Sequence, residues 1–249
     1  MGLMPQDAYY YLYGQNLSLS YFDHPGMIGY VLRIFTDIFG QSIFTLKFAD
    51  FTITSLTIVS FYKLASYFLS KKKLQRAIIL LASTFCVSIL SFNSTPDVPL
   101  LFFWTLSLIC LYKAIFEEKK WFWILGGIAM GLAFNSKYTA LLLQIGLISF
   151  LILSNRYRKL LLSPWFWSSL FFSIIVTFPV WYWNYQNEFA SFAFQSSERT
   201  SSISEFKISP KNFFGAIGHQ MFLLVPILFL VFATFTFKYV KRADRKSVV

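Results

Sequence analysis

The chain has 249 residues, of which 56% are hydrophobic, 21% aromatic and only 13% charged, with 31 Phe and 7 Trp. That composition is too apolar for a soluble domain of this length and marks a membrane protein. The net charge of +11 does not point to nucleic acid, because most of the basic residues are gathered in a few connections between apolar runs.

The chain opens on a polar, tyrosine-rich stretch, residues 4–27, that holds Asp7, Asp23 and His24 together with Tyr9, Tyr10, Tyr11, Tyr13 and Tyr21. It lacks the basic region and short apolar core of a signal peptide. Two short helices are predicted near it, over 7–15 and 25–39. In the second, Ile28, Val31, Leu32, Phe35 and Phe39 recur at spacings of three and four, so it is expected to lie along the membrane interface. Pro25 suits a first helical turn, and the N–H groups of that turn suit a phosphate.

A bilayer core of about 30 Å needs about 20 apolar residues of helix. Seven candidate spans follow, at 42–69, 77–92, 98–116, 121–134, 138–153, 164–183 and 217–237. The fourth is short, so it either extends through Asn135, Ser136 and Lys137 or pairs with the fifth as a bent, partly re-entrant element. Gly127 and Gly131 have the spacing that lets helix backbones approach closely. Lys47 and Asp50, three apart near the start of the first span, are expected to pair. Cys86 and Cys110 fall inside apolar runs and read as packing residues.

The connections alternate in charge. Lys71, Lys72, Lys73, Arg76, Lys119, Lys120, Arg156, Arg158, Lys159, Lys238, Lys241, Arg242, Arg245 and Lys246 all fall on one side. The positive-inside rule makes that side cytoplasmic. Asp7, Asp23, Asp37, Asp50, Asp97, Glu188, Glu198 and Glu205 fall on the other, with both histidines. The expected fold is therefore all-α: a polytopic transmembrane helical bundle of about seven spans, with interfacial helices in its first outer loop. Its expected divisions are an outer loop at 1–40, a transmembrane domain at 41–237 with an outer flap at about 184–216, and a basic cytoplasmic tail at 238–249.

Four short segments carry a resemblance: Gln6-Asp7-Ala8-Tyr9-Tyr10, Tyr21-Phe22-Asp23-His24-Pro25-Gly26, Thr95-Pro96-Asp97-Val98-Pro99 and Ser136-Lys137-Tyr138. They are similar to motifs of the GT-C membrane glycosyltransferases, within them the bacterial relatives of the protein O-mannosyltransferases and the lipid A aminoarabinose transferase. In that family one more helix precedes the first outer loop and several follow, so the chain resembles the front portion of such an enzyme without its first helix. The resemblance implies a polyprenyl-phosphate sugar donor, a lipid or protein acceptor, and chemistry on the extracytoplasmic face of the bacterial inner membrane.

Sugar transfer of this kind needs a carboxylate to take the acceptor proton and cations, or a metal, to stabilise the departing phosphate. The resemblance makes Asp7 the base, although an acid in the first turn of a helix is also favoured by the dipole. Asp23 and His24 either cap the helix that begins near Pro25 or shape the donor-phosphate site. Asp97 is either a turn residue or a second acid facing the site. Lys137 lies on the wrong side for a topology lysine and needs an anionic partner, a lipid phosphate or an ordinary headgroup. Arg199, in the flap, is the expected phosphate contact. No cofactor is certain; were a divalent metal ion used, Asp7, Asp23 and His24 would be its ligands. The rivals are a transporter or lipid flippase, which would place polar residues at mid-membrane in broken helices, and an inactive fragment that acts as a scaffold. No nucleic-acid partner is expected; membrane lipids are.

Overall fold

The computed structural model describes residues 2–198 and, beyond them, residues 214, 215, 217–219, 221, 230 and 234. The described part is helical, with one isolated bridge between Ser20 and Pro25. Most of the last predicted span, the basic tail, Arg199 and the rest of the flap lie outside the described residues.

Helix α1 (Pro5–Gln15) begins with proline at its first position, where the missing N–H has no intrahelical partner to lose. Helix α2 (Met27–Phe39) crosses α1 closely at Gly14 and Gly29. A Cβ on Gly29 would sit 2.9 Å from that of Tyr13. Ile28 and Leu32 of α2 are fully buried with Tyr10 and Tyr13 of α1 and Leu46 and Ala49 of the next helix. The predicted stripe of α2 thus packs partly on protein, while Ile34, Ile38 and Phe39 are exposed.

Helix α3 (Ile43–Ser66) is capped by the Ser42 hydroxyl, which accepts from Thr45 N at 3.1 Å. The second predicted span comes in two pieces, α4 (Lys71–Ala82) and α5 (Phe85–Leu90). The break falls at Ser83 and Thr84, whose hydroxyls turn back to backbone carbonyls, Thr84 to Leu81 O at 2.8 Å. Thr84 also caps α5 through Val87 N. Local side-chain bonds of this kind compete with the helix ladder.

Helix α6 (Asp97–Ile115) is followed by α7 (Trp121–Ser136), which carries the fourth predicted span on to Ser136. It ends because Lys137 is extended, at φ −158° and ψ 138°. One 3-10 turn (Tyr138–Ala140) then leads into α8 (Leu141–Leu153). After a second 3-10 turn (Arg158–Leu162), α9 (Pro164–Gln186) starts on the Ser163 cap and Pro164. A four-residue helix, α10 (Ala190–Ala193), and a single π turn (Phe194–Glu198) complete the described run.

Three of these helices, α3, α6 and α9, are long and apolar enough to cross a membrane, and the runs Trp121–Ser136 and Tyr138–Leu153 are shorter apolar helices. The packing is that of a membrane bundle. On α9 the aromatic and aliphatic residues Trp167, Phe171, Ile174, Phe178 and Trp181 are exposed, while Ser169, Ser173 and Thr177 are buried. Gly127 and Gly131 of α7 lie against that hydroxyl face: an added Cβ would stand 2.1 Å from Ser169 O or 2.6 Å from Val176. Small residues let the two backbones touch where lipid gives no hydrophobic drive. Pro179 interrupts the α9 ladder, and Asn135 reaches across from α7 to donate to Val176 O at 2.8 Å.

The two ends of the bundle differ in charge, as the sequence predicts. At one end Tyr67 stacks on Tyr112 at 4.2 Å and Phe116 meets Tyr157 at 5.3 Å. These contacts gather the connections that carry Lys71–Lys73, Lys119, Lys120, Arg156 and Arg158. The opposite end holds α1, the 16–26 loop, the α5–α6 turn and the close of α7.

Candidate functional site

All four motif segments meet at that second end. Asp7, in the first turn of α1, is fully buried. Its Oδ2 accepts from Met4 N at 2.8 Å and from the Lys47 ammonium, and its Oδ1 accepts from Ser94 N at 2.9 Å. Lys47 also donates to Phe92 O at 2.6 Å. Beside Asp7, Asn93 donates to Gln6 at 2.6 Å, so α1 is tied to the α5–α6 turn twice.

The expected pairing of Lys47 with Asp50 does not form. Lys47 turns to Asp7, and the fully buried Asp50 accepts instead from the Ser94 hydroxyl at 2.7 Å. A buried carboxylate takes the partner that reaches it, and the outer turn brings Ser94 there. Sequence spacing shows neighbours on one helix, not partners from elsewhere.

Asp97 opens α6 and Lys137 follows α7. The ammonium sits 2.9 Å from both carboxylate oxygens of Asp97. The anionic partner that the sequence demands for Lys137 is thus found within the protein. This pair is open, with side chains 26% exposed for Lys137 and 41% for Asp97, whereas the Lys47 and Asp7 side chains are 11% and 0% exposed. An ammonium has three N–H groups, so the Asp97 contacts leave one for another ligand.

Asp23 lies in the tight turn between α1 and α2, closed by Tyr21 N donating to His24 O at 3.1 Å. It is half-buried, and its Oδ1 accepts from the Tyr13 hydroxyl. Tyr13 meets the Tyr9 hydroxyl at 3.1 Å and stacks on Tyr21 with centroids 3.6 Å apart. Burial, and then the hydrogen bond to Asp23, push the Tyr13 phenol up, and burial also raises Tyr9. Both therefore stay protonated near neutral pH, and Tyr13 donates to Asp23. Among the described residues Asp23 forms no ion pair. The His24 ring stands beside Tyr10, with centroids 6.3 Å apart.

The start of the predicted flap folds back onto this turn. Gln195 donates to Asp23 O, and Phe194 meets Phe22 at 4.7 Å. Tyr138 of the fourth motif segment reaches the same stretch through Ser191 at 2.6 Å. Gln195 was not foreseen, because an amide in a serine-rich stretch carries no signal of its own. Arg199 lies outside the described residues.

The three residues named as metal ligands do not form a donor set. Asp7 is enclosed with Lys47, Met4 and Ser94, and among the described residues no three His, Cys, Asp or Glu side chains converge.

A helical membrane bundle that gathers acids, ammonium groups and aromatic side chains at one end fits the class of GT-C membrane glycosyltransferases. A family profile described as dolichyl-phosphate-mannose-protein mannosyltransferase matches residues 23–183, well over half of the chain, and the chain belongs to that family. Asp23, His24, Asp97 and Lys137 fall within the matched residues, whereas Asp7 lies outside them. Searches of curated proteins and of solved structures returned no match.

Proposed function

We propose that the chain transfers a sugar from a polyprenyl-phosphate donor to a hydroxyl or amine of a lipid or protein acceptor, at the extracytoplasmic face of a bacterial inner membrane. The orientation follows from the positive-inside rule, which turns the end with the basic connections toward the cytoplasm. One observation carries the reading: the motif segments meet at one end of the bundle and bring there an accessible ammonium and a carboxylate that forms no ion pair among the described residues.

In this reaction the acceptor lone pair attacks the anomeric carbon. The acceptor proton passes to a carboxylate, and the bond from the anomeric carbon to the phosphate oxygen breaks, its electrons leaving on the polyprenyl phosphate. Asp23 is the carboxylate that a substrate reaches in this arrangement, half-buried and steered by Tyr13. Lys137, with its remaining N–H, meets the phosphate charge as it builds, and Asp97 holds it in place. Arg199 is assigned to the same phosphate.

A second reading keeps Asp7 as the base, and Lys47 favours it. A donor phosphate that drew the Lys47 ammonium away would uncover Asp7 Oδ2.

Membrane vesicles containing the chain, supplied with radiolabelled polyprenyl-phosphate sugars and a lipid fraction, separate these. With Asp23 as base, Asp23→Asn loses about 100-fold or more in transfer at equal protein level. A fully active Asp23→Asn beside a folded but inactive Asp7→Asn would assign the base to Asp7. Absence of transfer from every donor would refute the transferase reading itself.

A further inference from the structure

Beside the Asp23 turn lies an open cleft of about 630 Å³, lined by Phe22, Trp183, Gln186, Asn187, Glu188 and Ala190. The transfer chemistry above makes no use of it. Its polar atoms lean toward acceptors. Gln186 spends an N–H on the Tyr182 hydroxyl and Asn187 spends one on Trp183 O, each turning an amide donor back to its own helix. Glu188 forms no ion pair among the described residues. What remains on offer is acceptor-rich: two amide oxygens and a carboxylate against one N–H on each amide, set between two aromatic side chains.

The cleft is also held in an unusual backbone. Glu188 and Phe189 are consecutive non-glycine residues in the left-handed region, at φ 55° and 58°. Such conformations persist only where their surroundings fix them, and they gather at ligand sites. Here the fixing group is Asn184, fully buried at the end of α9. Its carbonyl accepts from Phe189 N at 2.7 Å, its Oδ1 from Phe192 N at 3.2 Å, and its Nδ2 donates to Val180 O at 3.0 Å. The opposite wall is tied down as well, by Gln195 on Asp23 O and by Phe194 on Phe22.

Aromatic faces flanking an acceptor-rich rim suit a neutral polyhydroxylated ring. The C–H faces of a sugar lie on the aromatic rings, and its hydroxyls donate to the amide and carboxylate oxygens. A phosphate would meet Glu188 with the wrong sign. We propose that this cleft is the acceptor subsite and that it takes a sugar ring, so that the acceptor is a glycan-bearing molecule and not an unglycosylated serine or threonine. The proposal rests on the transferase reading and names the substrate class of that site.

Two measurements on the full chain in lipid nanodiscs test it. In the transfer assay with a glycolipid acceptor, Asn187→Ala and Glu188→Gln raise the KM for the acceptor about tenfold while the KM for the donor holds. An acceptor KM unchanged in both variants overturns the proposal. Independently of any transfer, maltose and chitobiose are titrated against tryptophan fluorescence. Saturable quenching that is lost in Trp183→Phe supports the subsite. Quenching that survives in Trp183→Phe, or no saturable quenching by either disaccharide, overturns it. Failure of the transferase reading shows as no transfer from any donor, which leaves the disaccharide titration to decide the cleft.

Discussion

Replacing Lys47 by Met leaves the Asp7 carboxylate sealed in the protein with two backbone N–H donors and no cation. Asp7 is 0% exposed and Lys47 11%, so water cannot take over from the lost ammonium. Removing one partner of a buried pair costs about 3–5 kcal/mol. At about 2–4 °C per kcal/mol for a chain of this size, the apparent Tm falls by roughly 6–20 °C. Asp7→Asn is milder, because Lys47 keeps Phe92 O and its exposed edge. Its cost is that of a charge-assisted hydrogen bond, about 1.5–3 kcal/mol. The double variant carries no orphaned charge, so it melts above Lys47→Met, with a coupling of about 1–3 kcal/mol. Thermal unfolding of detergent-solubilised protein, followed by size-exclusion chromatography with fluorescence detection, reads all four forms. Strict additivity, or a Lys47→Met that melts within 2 °C of the parent (roughly 1 kcal/mol or less), refutes the reasoning.

Other perturbations probe the packing and the site. Gly127→Ala places a methyl group 2.1 Å from Ser169 O, so α7 and α9 must part, at a cost of about 1–3 kcal/mol read by the same melting assay. Gly146→Ala is its control: nothing lies within 4 Å of the added Cβ, and Ala gains up to about 1 kcal/mol of helix propensity. Tyr13→Phe keeps its ring stack on Tyr21 and removes the donor to Asp23. If Asp23 is the base, kcat falls about tenfold, equivalent to about 1.4 kcal/mol, with the acceptor KM little changed. Lys137→Met weakens donor use and leaves Asp97 exposed enough to be hydrated, so transfer falls with a Tm shift under about 4 °C, equivalent to roughly 1 kcal/mol.

The helices were legible because apolar runs and caps are local. Ser42, Ser163 and Pro164 announce the starts of α3 and α9, and Gly127 and Gly131 announce a close crossing. The break between α4 and α5 was harder to see. Ser83 and Thr84 sit inside an otherwise apolar run, where hydropathy hides the competition their hydroxyls set up with the backbone. The four motif segments fall at one end of the bundle, and the anion that Lys137 calls for comes from Asp97, not from the lipid phosphate or headgroup that the sequence suggests. The partners of Lys137 and Asp7 each lie 40 residues away in sequence. Such pairings are set by how helices assemble and leave no trace in spacing. Asn184 was invisible for the same reason: its three hydrogen bonds hold a turn that exists only once α9 has ended.

The same two residue types thus serve two different purposes at one end of the bundle. Asp7 and Lys47 neutralise each other out of water, where their attraction is strong and access is least, and so they fasten α1 to α3 and to the α5–α6 turn. Asp97 and Lys137 remain partly in water, where an ion pair contributes little to stability. A pair that adds little stability can exchange one partner for a ligand without unfolding the protein. An incoming phosphate therefore competes for Lys137 at small cost, while it would have to break the fold's own fastening to reach Lys47. That difference in exposure, more than the identity of any motif, separates the acids and lysines of this end into those that hold the fold together and those that, on the proposed function, stay open to a substrate.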